Sequence, residues 1–376
     1  MSFISLGTID KKIIPIIIGC IFAFLTRLLF NYDGTTLFKH SIISNVISSF
    51  PRIFAFIPLI IFKIRTKKVK NVENDILTQG TFGRYSTKKV TKGKWIFIVL
   101  TSVIFFIQGI LLVSTVTVKT NSWILDILFS CLFSYWIFKI KIFKHHYISI
   151  IIIILTGLIF DLSLGNIQDD FSKDFLNFLL RLIREIIYSL DDVLVKYTMV
   201  RKYCSVYEIC LYNGLICSAL LMLFALIDHY YFTFDNYEEY FKDFHREEVG
   251  VIFLFIIAQL GVYLSNLFTN RDNTPLHIFI IYVFGQIGYY VFGFSLKSLI
   301  LIICLIFILF WALVFNEIIE INCFGLSDNT KRKISFRAET EITNIIENDE
   351  TDRIELGTKN EGEYIVELRD KTEEQE

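Results

Sequence analysis

Ten apolar stretches, each long enough to cross a bilayer, constrain this chain more than any other feature. They run at approximately 12–30, 42–64, 95–118, 122–140, 147–165, 174–197, 205–228, 249–268, 274–294 and 297–319. A hydrocarbon core of about 30 Å takes about 20 helical residues at a rise of about 1.5 Å each. The pattern therefore predicts an all-α, polytopic membrane protein with about ten transmembrane helices. Phenylalanine alone supplies 38 residues and the hydrophobic fraction is 54%, which suits a chain whose surroundings are mostly lipid.

Charge divides the chain into two parts. From Cys323 to the end there are 8 Lys and Arg against 15 Asp and Glu, a net of −7, whereas the rest carries 29 against 23, a net of +6. Residues 1–322 are read as the transmembrane domain and 323–376 as an acidic, largely disordered tail with at most a short helix around 338–346. The first stretch reads as a retained helix: Arg27 lies inside it, and no small-residue cleavage pattern precedes Tyr32-Asp33-Gly34.

Lysine and arginine crowd alternate gaps between the stretches. One set of gaps holds about 22, among them the ten basic residues from Lys63 to Lys94, and the opposite set about six. Basic residues near span ends favour the cytoplasm, so both termini are expected in the cytosol and the span count is expected to be even. The Lys63–Lys94 segment reads as a positive-inside anchor, with recognition of anionic lipid as the sharper alternative. It lacks the spacing of a phosphate-binding loop.

The sixth stretch differs in kind. It reads DFLNFLLRLIREIIYSLDDVLVKY from Asp174 to Tyr197. At 100° per residue, Asn177, Arg181, Arg184, Glu185, Tyr188, Asp191, Asp192 and Lys196 fall within an arc of about 140°. Each charge at mid-membrane costs about 2.5–3.5 kcal/mol, and each apolar residue returns only about 0.3–0.6. The stripe is therefore expected to face protein or water. Two readings compete. In one, Arg181–Glu185 and Asp192–Lys196 are i,i+4 ion pairs that pack the bundle. In the other, the stripe lines a cavity for a charged solute, and Arg184, with no local partner in that pairing scheme, is the leading anion contact. Further polar positions inside stretches are Arg27, Arg52, Gln108, Asp126, Tyr135, Asn213, Gln259 and Gln286. The cavity candidates are thus Arg184, Arg181, Glu185, Tyr188, Asp191, Lys196, Arg27, Arg52, Asp126, Asn213 and Gln286. The fifth and tenth stretches are almost wholly apolar and read as peripheral.

No chemistry-bearing motif accompanies these residues. There is no His-Glu-x-x-His, Gly-x-Ser-x-Gly or metal-spaced cluster, and His145-His146 lies in a basic link with no carboxylate near it in the sequence. Seven cysteines, with no Cys-x-x-Cys pair, read as small buried hydrophobes. No catalytic residue, metal or cofactor is expected, and no nucleic-acid partner.

Two stretches carry a resemblance. The run LLVSTVTVKTNSWILDILFSCLFSYWIFKIKIFKHHYISIIIIILTGLIF has a short turn, a helix ending in a basic link, and an Ile-rich helix with a Thr-Gly step. It is similar to the matching part of the drug/metabolite transporter superfamily (EamA-like). VLVKYTMVRKYCSVYEICLYNGL resembles the pattern of its nucleotide-sugar and triose-phosphate branches at Lys196, Ser205, Glu208, Tyr212, Gly214 and Leu215. The resemblance covers about 1–322 and implies two inverted five-helix repeats working by alternating access. LTRLLFNYDGTTLFKHSIISN can be laid over LVKYTMVRKYCSVYEICLYNG without gaps, pairing Arg27 with Lys196. The long basic insertion after the second stretch and the crowded charges of the sixth depart from the family pattern.

The expected function is a secondary transporter moving a small polar, anionic, phosphorylated or nucleotide-sugar-like metabolite, with Arg27, Arg52, Arg181, Arg184 and Lys196 as cationic contacts. An amine substrate would follow if Asp126, Glu185 and Asp191 dominated instead. The alternative is a non-transporting receptor or scaffold whose tail, through Glu341-Ile342-Thr343-Asn344-Ile345-Ile346, engages sorting adaptors. The sequence leaves open a homodimer, and an endomembrane (Golgi, ER or vacuole) against a plasma-membrane location.

Overall fold

The computed structural model describes residues 4–6, 11–30, 41–69, 93–115, 122–140, 142–164, 171–202, 204–232, 248–291, 296–322, 326 and 330. Most of the basic 63–94 segment, the expected helix at 338–346 and the adaptor-like tail motif lie outside these residues, as does Cys323.

Eleven α-helices account for almost all of the described chain: α1 (Ile14–Phe30), α2 (Ser41–Ser49), α3 (Phe56–Val69), α4 (Lys94–Thr115), α5 (Asp126–Phe138), α6 (Lys144–Leu164), α7 (Phe171–Arg201), α8 (Val206–Ile227), α9 (Glu248–Asp272), α10 (Ile278–Val291) and α11 (Leu296–Phe315). Their positions follow the apolar stretches, with α2 and α3 sharing one. A 3-10 turn at Phe50–Ala55 separates those two, and Pro51 stands at its start. Pro58 falls in the first turn of α3, where a missing N–H does no harm.

Five segments are long and apolar enough to cross a membrane: Ile42–Ile61, Lys94–Leu111, Val206–Tyr231, Glu248–Asp272 and Ser298–Phe315. Ile14–Leu29, Asp126–Phe138, Lys144–Phe160 and Pro275–Val291 are apolar but shorter. Helix α7 has 31 residues, about 46 Å of helix, and its charges keep it out of both groups.

The distribution of polarity is that of a membrane protein. Arg52, Asp126, Arg181, Glu185, Asp191 and Asn213 are buried, while Ile151, Leu155, Leu158, Ile303, Ile306 and Phe307 face outward. Water would reverse that arrangement, so the outer surface suits lipid.

Packing follows a simple scheme. Helix α1 lies against α9 and α10, and α7 lies against α4 and α5. The 3-10 turn and α2 pack on α8, and the strongly apolar α6 packs on α11. The largest buried cluster joins Ile16 and Ala23 of α1 to Ile127, Ile153, Phe279, Ile281, Ile308 and Phe315. At the α2–α8 contact, Ser49 and Ser218 bring their hydroxyls within 3.1 Å, and Ser49 also donates to the Val46 carbonyl at 3.0 Å.

Helix α8 explains much of the motif that carries the family resemblance. Ser205 and Glu208 form a capping box at its N-terminus, and Glu208 also holds Lys94 of α4 at 2.7 Å. Tyr212 meets Trp95 edge-on, with ring centroids 4.6 Å apart. Gly214 lies where a Cβ would come within 2.8 Å of Arg52 Cβ and 2.9 Å of the Ile53 nitrogen. The six described cysteines are free and buried.

One element has no counterpart in the sequence reading. Ile4–Leu6 (β1) pairs antiparallel with Ile319–Ile321 (β2), with Ser5 opposite Glu320. Three-residue strands fall below the length at which a two-residue period is legible. This ribbon belongs to a separate compact unit formed by the chain's two ends.

Gly214→Ala should destabilise the bundle by about 1–3 kcal/mol, the range of overpacking into a backbone that cannot yield. Gly109→Ala is the control, because its nearest neighbour stands 3.5 Å from the added carbon; it should hold or raise stability. Unfolding midpoints in detergent test the pair, and equal behaviour would refute the close approach.

Candidate functional site

Helix α7 presents polar side chains to two sides, and a distinct cluster forms on each. Towards α5 and α10, Ser189 donates to Asp126 Oδ1 at 2.5 Å and Ser130 to the same oxygen at 3.3 Å. One residue earlier, Tyr188 bonds through its hydroxyl to Tyr282 of α10, and Asn266 of α9 reaches Tyr282 at 3.5 Å. Arg184 closes on Glu185, with Nη2 at 2.5 Å and Nε at 3.1 Å from Oε1. Arg27 of α1 lies in electrostatic range of Arg184, Tyr188, Tyr289 and Tyr290. This side therefore gathers Arg27, Asp126, Arg184, Glu185 and Tyr188 from α1, α5 and α7.

The second cluster, towards α4, α8 and α9, centres on Arg52 in the 3-10 turn. Its guanidinium carbon lies 3.8 Å from the Phe105 ring centre and 3.7 Å from that of Tyr263, so two aromatic faces clamp it. Only 6% of Arg52 is exposed, yet its Nε and Nη1 have no hydrogen-bond partner. Asp191 is the carboxylate in electrostatic range, and its Oδ1 also lacks a partner. Asn213 forms the floor: Ser102 donates to its Oδ1 at 2.6 Å, Thr101 approaches at 3.4 Å, and its amide donates to Tyr263 at 2.9 Å.

A clamp of two rings over a desolvated cation contributes about 2 kcal/mol or more per favourable ring. That attraction does not replace the hydrogen bonds a guanidinium gives up on leaving water. The Arg52 site thus offers planar, directed N–H donors that suit carboxylate or phosphate oxygens.

Other candidates have different employment. Lys196 donates to the Asn270 carbonyl at 2.6 Å, the Arg271 carbonyl at 3.3 Å and the Asn273 carbonyl, which caps the C-terminal end of α9. Arg181 is buried on α7, and Gln286 is half-buried on α10. Gln108 donates to the Ile187 carbonyl at 3.4 Å, and Tyr135 faces outward.

Two expectations need correction. Arg184 has a local partner, the adjacent Glu185, because neighbouring side chains long enough to curl back can pair across one residue as well as four. The link residues His145-His146 do have a carboxylate beside them, Glu317, whose Oε1 lies 3.4 Å from His145 Nε2. Sequence reading also missed Phe105, Tyr263 and Tyr282, since aromatic residues in apolar helices carry no signal of which cation or hydroxyl they meet.

No protein-family model matches the chain, and no curated protein is similar enough to count as a relative. The geometry of the clusters stands on its own.

Asn213→Ala should lower stability by about 1–3 kcal/mol, the range for leaving buried hydroxyls short of a partner. Tyr263→Phe, which removes one bond but keeps the ring over Arg52, should cost less. Detergent unfolding curves for the two variants test the ranking, and a neutral Asn213→Ala would overturn it.

Proposed function

We propose that this chain is a secondary carrier of the drug/metabolite transporter type. In this reading it crosses the membrane ten times as two inverted five-helix repeats, with both ends in the cytosol, and moves a small anionic metabolite by alternating access. Phosphorylated compounds and nucleotide-sugars are the substrate class.

The observation that carries the reading is the order of packing. With 41–69 taken as one segment, advancing every helix by five positions converts the contacts of α1 with α9 and α10 into those of α7 with α4 and α5. The same shift returns the pairs 41–69 with α8, and α6 with α11, to themselves. A duplicated fold with a two-fold relation between its halves has this property, and an odd repeat of five crossings requires inversion. Ser49 and Ser218, which touch, stand 169 residues apart. That offset is the one that lays Arg27 over Lys196.

Substrate charge is read from Arg52. A planar cation with unbonded N–H groups, enclosed by Phe105, Tyr263 and Asp191, suits an anion that competes with Asp191 for it. On the other side of α7, Arg184 is matched by Glu185 at contact distance, so Arg27 is the cation there that supports the same sign of substrate.

Purified protein in liposomes, offered a panel of nucleotide-sugars, sugar phosphates, carboxylates and amines, should accumulate members of the anionic group. Arg52→Gln should cut that uptake by about 10- to 100-fold, the equivalent of one charge-assisted hydrogen bond of about 1.5–3 kcal/mol. Lys196→Gln should lower stability more than selectivity. Uptake confined to amines would reverse the assigned charge, and a folded protein that moves nothing on the panel would remove the carrier reading.

A further inference from the structure

We infer that His145, His146 and Glu317 form a binding site for a borderline-soft divalent cation of the zinc class, fastening the start of α6 to the end of α11. The three side chains each offer a ligand atom, and these atoms all lie within 4.8 Å of one another. Two imidazoles and a carboxylate are the donor set that zinc takes with one position left for water.

His145 is nearly enclosed, at 2% exposure. Neither of its ring nitrogens has a hydrogen-bond partner, although Glu317 Oε1 lies 3.4 Å from Nε2. Donor atoms about 2.0–2.1 Å from a tetrahedral zinc ion stand about 3.3 Å apart, so the pair already has the spacing of two ligands on one metal. The rings of His145 and His146 lie 4.0 Å apart, between Phe143 and Phe315. These rings flank the imidazoles, while His146 and Glu317 are half-buried. His146 Nδ1 accepts the Phe143 N–H at 3.0 Å. Ligation by either nitrogen of His146 gives up this bond, so His146 is the ligand that moves.

The backbone at Glu317 is an independent pointer. Helix α11 ends with Ile318 N–H bonded to the Leu313 carbonyl and Glu317 N–H bonded to the Val314 carbonyl. In this arrangement the residue before the last takes a left-handed conformation and is usually glycine. Here it is glutamate, at φ 59°, a conformation unfavourable for any residue with a Cβ. The strained position aims a carboxylate at two histidines, where a glycine would have closed the helix more comfortably.

The site is independent of the transport reading. Its test uses the full chain, tag removed, in detergent and stripped with EDTA. Titration with Zn2+ should show one ion bound per chain and a rise in the unfolding midpoint. Co2+ should give the visible absorption of a tetrahedral site with nitrogen and oxygen ligands. Glu317→Gly should lose the metal-dependent rise yet unfold, in EDTA, no earlier than the natural chain, because glycine relaxes the helix end. His145→Gln should lose the rise as well. Absence of Zn2+ binding to the natural chain, or binding that persists unchanged in both variants, would overturn the site.

Discussion

Everything in the bundle is arranged around a helix that lipid cannot solvate. Helix α7 carries Arg181, Arg184, Glu185, Asp191 and Asp192 within about three turns, and no apolar face of its length offsets that exposure. Its neighbours α4 and α5 cover it, and they meet it with polar groups: Asp126 accepts from Ser189, and Gln108 donates to the Ile187 carbonyl. The consequence runs outward. Helices that enclose α7 present polar groups inward and apolar groups outward, while α6 and α11, which pack on each other, are apolar on nearly every side.

The two sides of α7 solve the charge problem differently. Glu185 and Arg184 neutralise each other at contact distance, and Asp126 is held by two serine hydroxyls. Such groups are satisfied within the protein, and they define shape more than affinity. Arg52 and Asp191 sense each other's field without a bond, each with a polar atom left over. Satisfied networks rigidify a bundle, whereas unsatisfied charges in a desolvated place are what a ligand can complete. The contrast between Arg184 and Arg52 is therefore more informative than the presence of either arginine.

Helix positions were legible because a membrane span is written locally: twenty residues of hydropathy suffice to place α4, α8, α9 or α11. The break at Phe50–Ala55 was not read, since hydropathy runs through 42–64 without a gap. The polar stripe of α7 could be read from a 100° period alone. Partners could not. Phe105 and Tyr263 reach Arg52 from two other helices, and nothing in either residue's neighbourhood announces a cation. Arg184 and Glu185 were misjudged because helical periodicity describes Cα positions, while a long guanidinium chain can fold back along the surface. Glu317 was missed for a third reason: nearly half of the chain separates it from His145, and their approach depends on α6 meeting α11. The β1–β2 ribbon was too short to leave a period.

Ser49 and Ser218 show that a contact between two like residues need not be symmetric. Two hydroxyls facing each other share one hydrogen bond, so they cannot both donate to it. Ser49 spends its proton on the Val46 carbonyl, which leaves Ser218 as the donor between them. Two residues of the same kind, facing each other across one contact, thus hold different chemical offices: removing Ser218 deprives Ser49 of a visitor, and removing Ser49 strands a proton. A seam built from matching parts is directional at the scale of one hydrogen atom, and drift at its two halves meets unequal resistance.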